Sequence, residues 1–233
     1  MTASDMPLLR PARSDLFGTA AGEAGSAIQI HLVPEGAEAQ VVERLDPGAA
    51  AWARAHQFTG TAKRTLMLPG ADGRIAGVLF GLGKGASTEP AGPAITLIGQ
   101  LASQLPPGLY RLAGDATDPE LAAVAWGLGA YRFSELKSEP PKQPPPRLQL
   151  PDGVSPDRVM AIIEGVWLGR DLINRPASDL GPAEIEQAVR AIGARHGATV
   201  TSIVGDDLLD AGCRLIHAVG RASTRAPRLI DLV

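Results

Sequence analysis

Four histidines and one cysteine are the chain's best metal donors, and their spacing decides what they can do. His31, His56, His196 and His217 form no HExxH or HxxxH pair, and Cys213 has no second thiol. A zinc site needs three or four donors converging from spacings of that kind, so these residues give no metal centre. A surface or capping role is the expectation for each histidine. His31 falls in a strand-like run on the face opposite Ile30 and Leu32. His196 closes a helical run, where positive charge suits the helix dipole. Among the carboxylates, Asp206 and Asp207 are adjacent at the start of a short helical run and are expected to cap it. Asp171, Asp179 and Glu184 border the Asn174–Pro182 loop, where they can orient it by accepting backbone hydrogen bonds. No spacing pairs two carboxylates for general acid–base work.

Phe80-Gly81-Leu82-Gly83-Lys84-Gly85 follows an apolar run. Its spacing is GxGxG rather than GxGxxG, and no Gly-Lys-Ser/Thr follows. The expectation is a tight turn that needs positive φ, in preference to an anion cradle. No Gly-x-Ser-x-Gly elbow occurs. Cys213 follows a glycine with nothing nearby to lower its pKa, so a buried structural thiol is expected.

The elements that must hold these residues alternate between strand and helix. Ile28, Ile30 and Leu32 sit two apart, as on a strand. Gly48–Gln57 is alanine-rich and helical. Thr65–Leu68 and Ile75–Phe80 flank Ala71-Asp72-Gly73 as a hairpin. A helix over Pro93–Gln104 and a strand over Leu109–Ala113 follow. Asp118-Pro119 opens a helix that runs to about Ala130. Seven prolines fall between Ser138 and Pro156. Proline fixes φ and lacks a donor, so neither helix nor central strand is expected to cross that segment. Pro141-Lys142-Gln143-Pro144 within it fits a PxxP pattern, though a connector accounts for the same residues.

Beyond it, Val159, Ile162, Ile163, Val166 and Leu172-Ile173 recur at helical spacing, with the helix ending near Asn174 before Pro176. A second helix runs from Gly181-Pro182 to His196, stopped by Gly197. Thr199–Val204, Leu215–Val219 and Arg228–Val233 read as strands. The expected division is an N-terminal α/β domain over residues 1–137, a proline-rich linker over 138–156, and the opening of a second α/β domain over 157–233. The last strand, Leu229 to Val233, is apolar with nothing behind it to bury it. The expectation is that more polypeptide, from this chain or a partner, completes the second domain.

Net charge is −3, which speaks against a nucleic-acid binder. A single cysteine cannot form an internal disulfide, and no run of about 18 apolar residues is present for a membrane span. A cytoplasmic protein is expected.

Gly169-Arg170-Asp171-Leu172-Ile173-Asn174-Arg175-Pro176, Gly181-Pro182, Gly205-Asp206 and Val219-Gly220-Arg221-Ala222-Ser223 together resemble the leucyl aminopeptidase family of metallo-exopeptidases. Phe58–Leu82 and Gly127–Lys137, with Tyr131-Arg132-Phe133, are similar to that family's N-terminal domain. Arg175 and Ser178 depart from the small or amide residues common there. The resemblance implies a macro-domain-like N-terminal domain followed by an α/β peptidase domain. It implies two divalent metals (zinc, manganese or magnesium) that activate a bridging water to cleave N-terminal residues from peptides. It also implies a homohexamer assembled through the peptidase domain. The family's metal ligands lie in segments like Gly-Lys-Gly-x-x-Phe-Asp and Asn-Thr-Asp-Ala-Glu-Gly-Arg. Neither occurs here, so no catalytic, cofactor-binding or metal residue is carried over, and the chain alone is expected to be inactive. A different reading makes the chain a non-catalytic module for a nucleotide-like ligand or DNA, or a pseudo-enzyme paired with a full-length relative.

Overall fold

A computed structural model of the chain describes residues 14–18, 27–84, 93–114, 117–134 and 143–233. Two compact units meet in sequence between Glu164 and Gly165. The mixed α/β fold class expected from the sequence is the one observed, with a mostly parallel sheet.

The first unit is built on six strands: β1 (Phe17–Gly18), β2 (Ile28–Pro34), β3 (Thr65–Pro69), β4 (Ile75–Gly83), β5 (Leu109–Ala113) and β6 (Arg147–Gln149). Their order across the sheet is β1-β6-β5-β2-β4-β3. All neighbours are parallel except β3 and β4. That pair is the hairpin expected from Asp72-Gly73. Gly73 takes φ 75°, Gly70 N–H donates to Arg74 O at 2.7 Å, and Asp72 Oδ1 accepts from Arg74 N at 3.0 Å. β2 sits between β4 and β5, with Ile30 opposite Val78 and Leu112. A strand flanked on both sides and covered on both faces should be apolar, and Ile30 and Val33 are fully buried.

Helices α1 (Glu38–Val42) and α2 (Pro47–Ala55) cover one part of the sheet. Val42, Ala49, Ala50, Ala53 and Phe58 there pack with Val33, Leu68 and Leu79. Asp46 caps α2 by accepting from Gly48 N at 2.7 Å. The helix expected over Pro93–Gln104 is a 3-10 helix from Ala94 to Gln100 that continues as α3 (Leu101–Gln104). α4 (Pro119–Gly129) begins as expected, with Asp118 Oδ1 accepting from Leu121 N at 2.9 Å. Gly129 lets α4 lie against the 3-10 helix, because a Cβ there would overlap the carbonyl of Gly99. Trp126 of α4 and Tyr110 of β5 are fully buried, with ring centroids 6.3 Å apart.

The proline-rich segment differs from its expectation. Arg147-Leu148-Gln149 forms β6, a strand inside the sheet paired with β5 on one side and β1 on the other. Prolines 144 to 146 precede it and Pro151 follows it, so its own three residues keep every backbone donor the ladder needs. Pro141 and Lys142 of the PxxP pattern lie outside the described residues.

α5 (Pro156–Asn174) ends where Pro176 requires. Its buried seam is Val159, Ile163, Trp167 and Asp171, each four residues apart. Ile162, Val166 and Ile173, expected on that face, are exposed, because the 3.6-residue period turns them away. The second unit then holds α6 (Pro182–His196), β7 (Val200–Val204), α7 (Asp207–Asp210), α8 (Arg214–Gly220) and β8 (Arg228–Leu232). β7 and β8 form an antiparallel two-stranded sheet, with Ser202 opposite Ile230. Gly197 stops α6 at φ 71°. Leu215–Val219, expected as a strand, lies in α8: Leu215 and Val219 are one helical turn apart, and among the described residues no strand pairs with them.

Candidate functional site

The loop between α5 and α6 is held from its far side. Glu184, in the first turn of α6, accepts the Gly181 N–H at 2.8 Å. Its own backbone N–H and that of Gly181 stabilise the carboxylate and lower its pKa from the ordinary value. Arg225 donates to the carbonyl oxygens of Ala177, at 3.2 Å, and Ser178, and lies 3.7 Å from Glu184 Oε2. Gly181 leaves room for this approach, since a Cβ there would displace the Arg225 side chain. The expectation that Glu184 orients the loop is met. Arg225 was not legible, being 47 residues from its partner Ser178. Replacing Arg225 with Ala is expected to cost only about 1 kcal/mol, because the guanidinium is partly exposed. It should nonetheless speed proteolytic cleavage between Ala177 and Asp179, read by limited digestion and mass spectrometry.

A second network ties α6 to both strands. Glu186 is buried. It accepts from Ser202 Oγ of β7 at 2.8 Å, from Arg228 of β8 and from Arg190 Nε at 2.8 Å. Ser202, Arg228 and Arg190, in that order, pull its pKa down to about 2. Arg190 also donates to Val200 O at 3.1 Å and Ser202 Oγ at 3.1 Å. The Glu186/Arg190 pair has the i,i+4 order that a sequence can reveal. The links to Ser202 and Arg228 leave no such sign.

Asp206 does not cap α7, for its side chain accepts no backbone N–H there and lies instead 3.0 Å from His217 Nε2 of α8. Because α7 begins with Asp206 already in helical backbone geometry, the carboxylate points away from the open N–H groups. Cys213 precedes α8 and is half-buried rather than buried, with Sγ 3.8 Å from Ala211 O. Its place at a turn between two short helices leaves one side open. His56 Nδ1 lies 2.9 Å from Trp52 O, and its ring packs against Trp52 at a 39° tilt, with ring centroids 4.2 Å apart. His31 lies in β2, where burial first and Arg111 second lower its pKa. His196 closes α6. The structure therefore brings none of the four histidines to a common centre.

The Gly81–Gly83 segment is strand rather than turn. Gly81 N–H donates to Arg64 O at 2.8 Å and Gly83 N–H to Gly60 O at 2.7 Å, so neither is open to an anion. The positive φ expected there occurs at Gly83, at 73°. Gly85 lies outside the described residues.

Among the described residues no three His, Cys, Asp or Glu side chains stand close enough together to hold a metal ion. The described residues do not fit the pair of metals that the resemblance implies.

The second unit instead presents an apolar groove of about 570 Å³ along β8, walled by Ile185 of α6, Leu215, Ile216 and Val219 of α8, and Ile230 of β8. Leu215 and Val219 are 83% and 79% exposed. The edge of β8 beside it is open. Thr199 and Val233 exchange both backbone bonds, so by antiparallel alternation Arg228, Ile230 and Leu232 turn their backbone groups away from β7. Arg228 Nε, shut off from solvent, has no acceptor among the described residues.

Comparison with known proteins matches residues 28–151 to the family described as M17 aminopeptidase, N-terminal domain. Residues 167–233 match the cytosol aminopeptidase family, catalytic domain. A probable cytosol aminopeptidase of Rhodococcus jostii is 30% identical over 189 residues, covering 75% of this chain and 37% of the relative. The crystal structure of cytosol aminopeptidase from Coxiella burnetii superposes with TM-score 0.79 at 31% identity, over 94% of this chain and 46% of that one. The bottromycin maturation enzyme BotP in complex with Mn shares the fold, with TM-score 0.66 at 23% identity, over 89% of this chain and 45% of that one. The chain spans less than half the length of these proteins. No helix among the described residues is long and apolar enough to cross a membrane.

Proposed function

The chain belongs to the M17 cytosol aminopeptidase family, and from that premise we propose that it supplies the N-terminal domain and the opening part of the catalytic domain of a metallo-aminopeptidase. The whole enzyme removes N-terminal residues from peptides with a free amino end, using two divalent ions, manganese or zinc and in some settings magnesium. It works in the cytoplasm as a homohexamer. Residues 1–137 together with β6 (Arg147–Gln149) make its N-terminal α/β domain, the rest of 138–156 is the connection, and 157–233 are the start of the catalytic domain. The 233 residues by themselves are inactive.

The observation that carries this reading is the groove beside β8. An apolar face with an open strand edge costs solubility unless further polypeptide covers it. A two-stranded ribbon is also marginal without more strands. Further support comes from the Glu186 network, which fixes α6, β7 and β8 as a platform, and from the family match beginning at residue 167. In this reading these residues position a catalytic centre rather than form one. The expected result with the purified chain is no release of product from a leucyl anilide, with manganese or zinc added. Metal-dependent turnover by the 233-residue chain would overturn the reading.

A further inference from the structure

The first unit carries a cavity that the aminopeptidase reading does not use. It holds about 250 Å³ at the carboxyl ends of β5 and β6, lined by Arg111, Leu112, Pro119, Gln149, Leu150 and Asp152, among others. Crevices outside the carboxyl ends of parallel strands are where open α/β sheets bind ligands. Arg111 and Gln149 each follow the paired residues Tyr110 and Leu148, so they stand side by side on one face of the sheet.

We propose that this cavity binds a small zwitterion of amino-acid size, its carboxylate on Arg111 and its ammonium on Asp152 and Gln149. The cavity has two opposite charges on its wall that form no ion pair with each other among the described residues. A ligand with one charge would satisfy one wall and offend the other. An inorganic anion meets Asp152, and the adjacent N-terminus of α4 is already occupied by the Asp118 carboxylate. A simple cation meets Arg111. Beside Arg111 on β2 is His31, whose pKa is lowered by burial and by Arg111, a shift that favours its neutral form. Gln149 Oε1 is buried with no donor among the described residues, and an ammonium supplies donors. Leu112, Leu150 and Pro119 give an apolar wall for a side chain. The volume falls below the roughly 300–1,000 Å³ of drug-sized sites, which suits a single amino acid.

The test uses the whole chain and L-leucine, with N-acetyl-L-leucine lacking the ammonium and L-leucinamide lacking the carboxylate. Binding is read by calorimetry and by the rise in Tm. L-leucine is expected to bind and raise Tm, and each control to bind about tenfold more weakly or worse. Arg111→Gln should weaken L-leucine without weakening L-leucinamide, and Asp152→Asn should weaken L-leucine without weakening N-acetyl-L-leucine. Both side chains lie at the surface, so ligand-free Tm should stay unchanged and certify folding. No binding of L-leucine up to about 10 mM, equal binding of all three compounds, or unaltered binding by both variants would each overturn the proposal. Because the readout is binding, the anilide assay can fail or succeed independently of it.

Discussion

Trp126→Ala should remove about 4 kcal/mol from the stability of the first unit. Trp126 is fully buried, and truncating a buried tryptophan loses its transfer energy and leaves a cavity that a packed core fills poorly. The loss is concentrated here because Trp126 joins α4 to Tyr110 of β5, whose hydroxyl is itself anchored to Pro106 O at 3.0 Å. Trp126 Nε1 is also buried without an acceptor among the described residues. Trp126→Phe therefore deletes a donor that costs stability where it is, and this offsets part of the lost volume. The expected loss for Phe is about 1 kcal/mol or less. Denaturant unfolding followed by far-ultraviolet circular dichroism checks both. Equal losses for Ala and Phe would show that the indole ring contributes little by its bulk.

Glu186→Ala should cost about 3 kcal/mol in the second unit, since it strands the guanidinium of Arg228, whose own buried Nε already has no acceptor among the described residues. Glu186→Gln keeps the shape and one acceptor, so its loss should be smaller. The same carboxylate gives a pH signature. Its pKa falls from 4.5 to about 2 in the folded chain, so between those values the unfolded state binds more protons than the folded one. Its stabilising contribution is therefore complete above about pH 4.5 and declines as pH falls toward 2. Thermal melts between pH 7 and pH 2 should show the parent chain losing stability across that window, with Glu186→Gln losing less. A parallel decline in both would remove Glu186 from the account. Hydrogen bonds from three separate elements make this residue the one on which α6, β7 and β8 jointly depend.

Much of the scaffold was legible because its signals are local. Asp118-Pro119 announces α4, Gly181-Pro182 and Gly197 bracket α6, and Asp72-Gly73 closes the β3–β4 hairpin. In each case a few adjacent residues decide the backbone by capping, by fixed φ or by tolerance of positive φ. The motif residues around Asn174 and Gly220 named a family for the same reason, since they are contiguous and need no partner to be recognised.

The failures share the opposite character. β6 has three residues amid prolines, and only β5 and β1 on either side make it a strand. Leu215–Val219 is apolar enough for either structure, and the absence of a pairing strand among the described residues together with the i,i+4 stripe makes it helix. Arg225 and Arg228 find partners more than 40 residues away in the chain. The amino-acid sequence by itself determined the α/β class, the helix ends, the hairpin and the family. Tertiary structure alone decided which strand completes the sheet, which carboxylate is buried among donors, and which apolar face is left open. The physical reason is range: caps and turns act across three or four residues, whereas register, burial and charge pairing depend on what distant segments bring alongside.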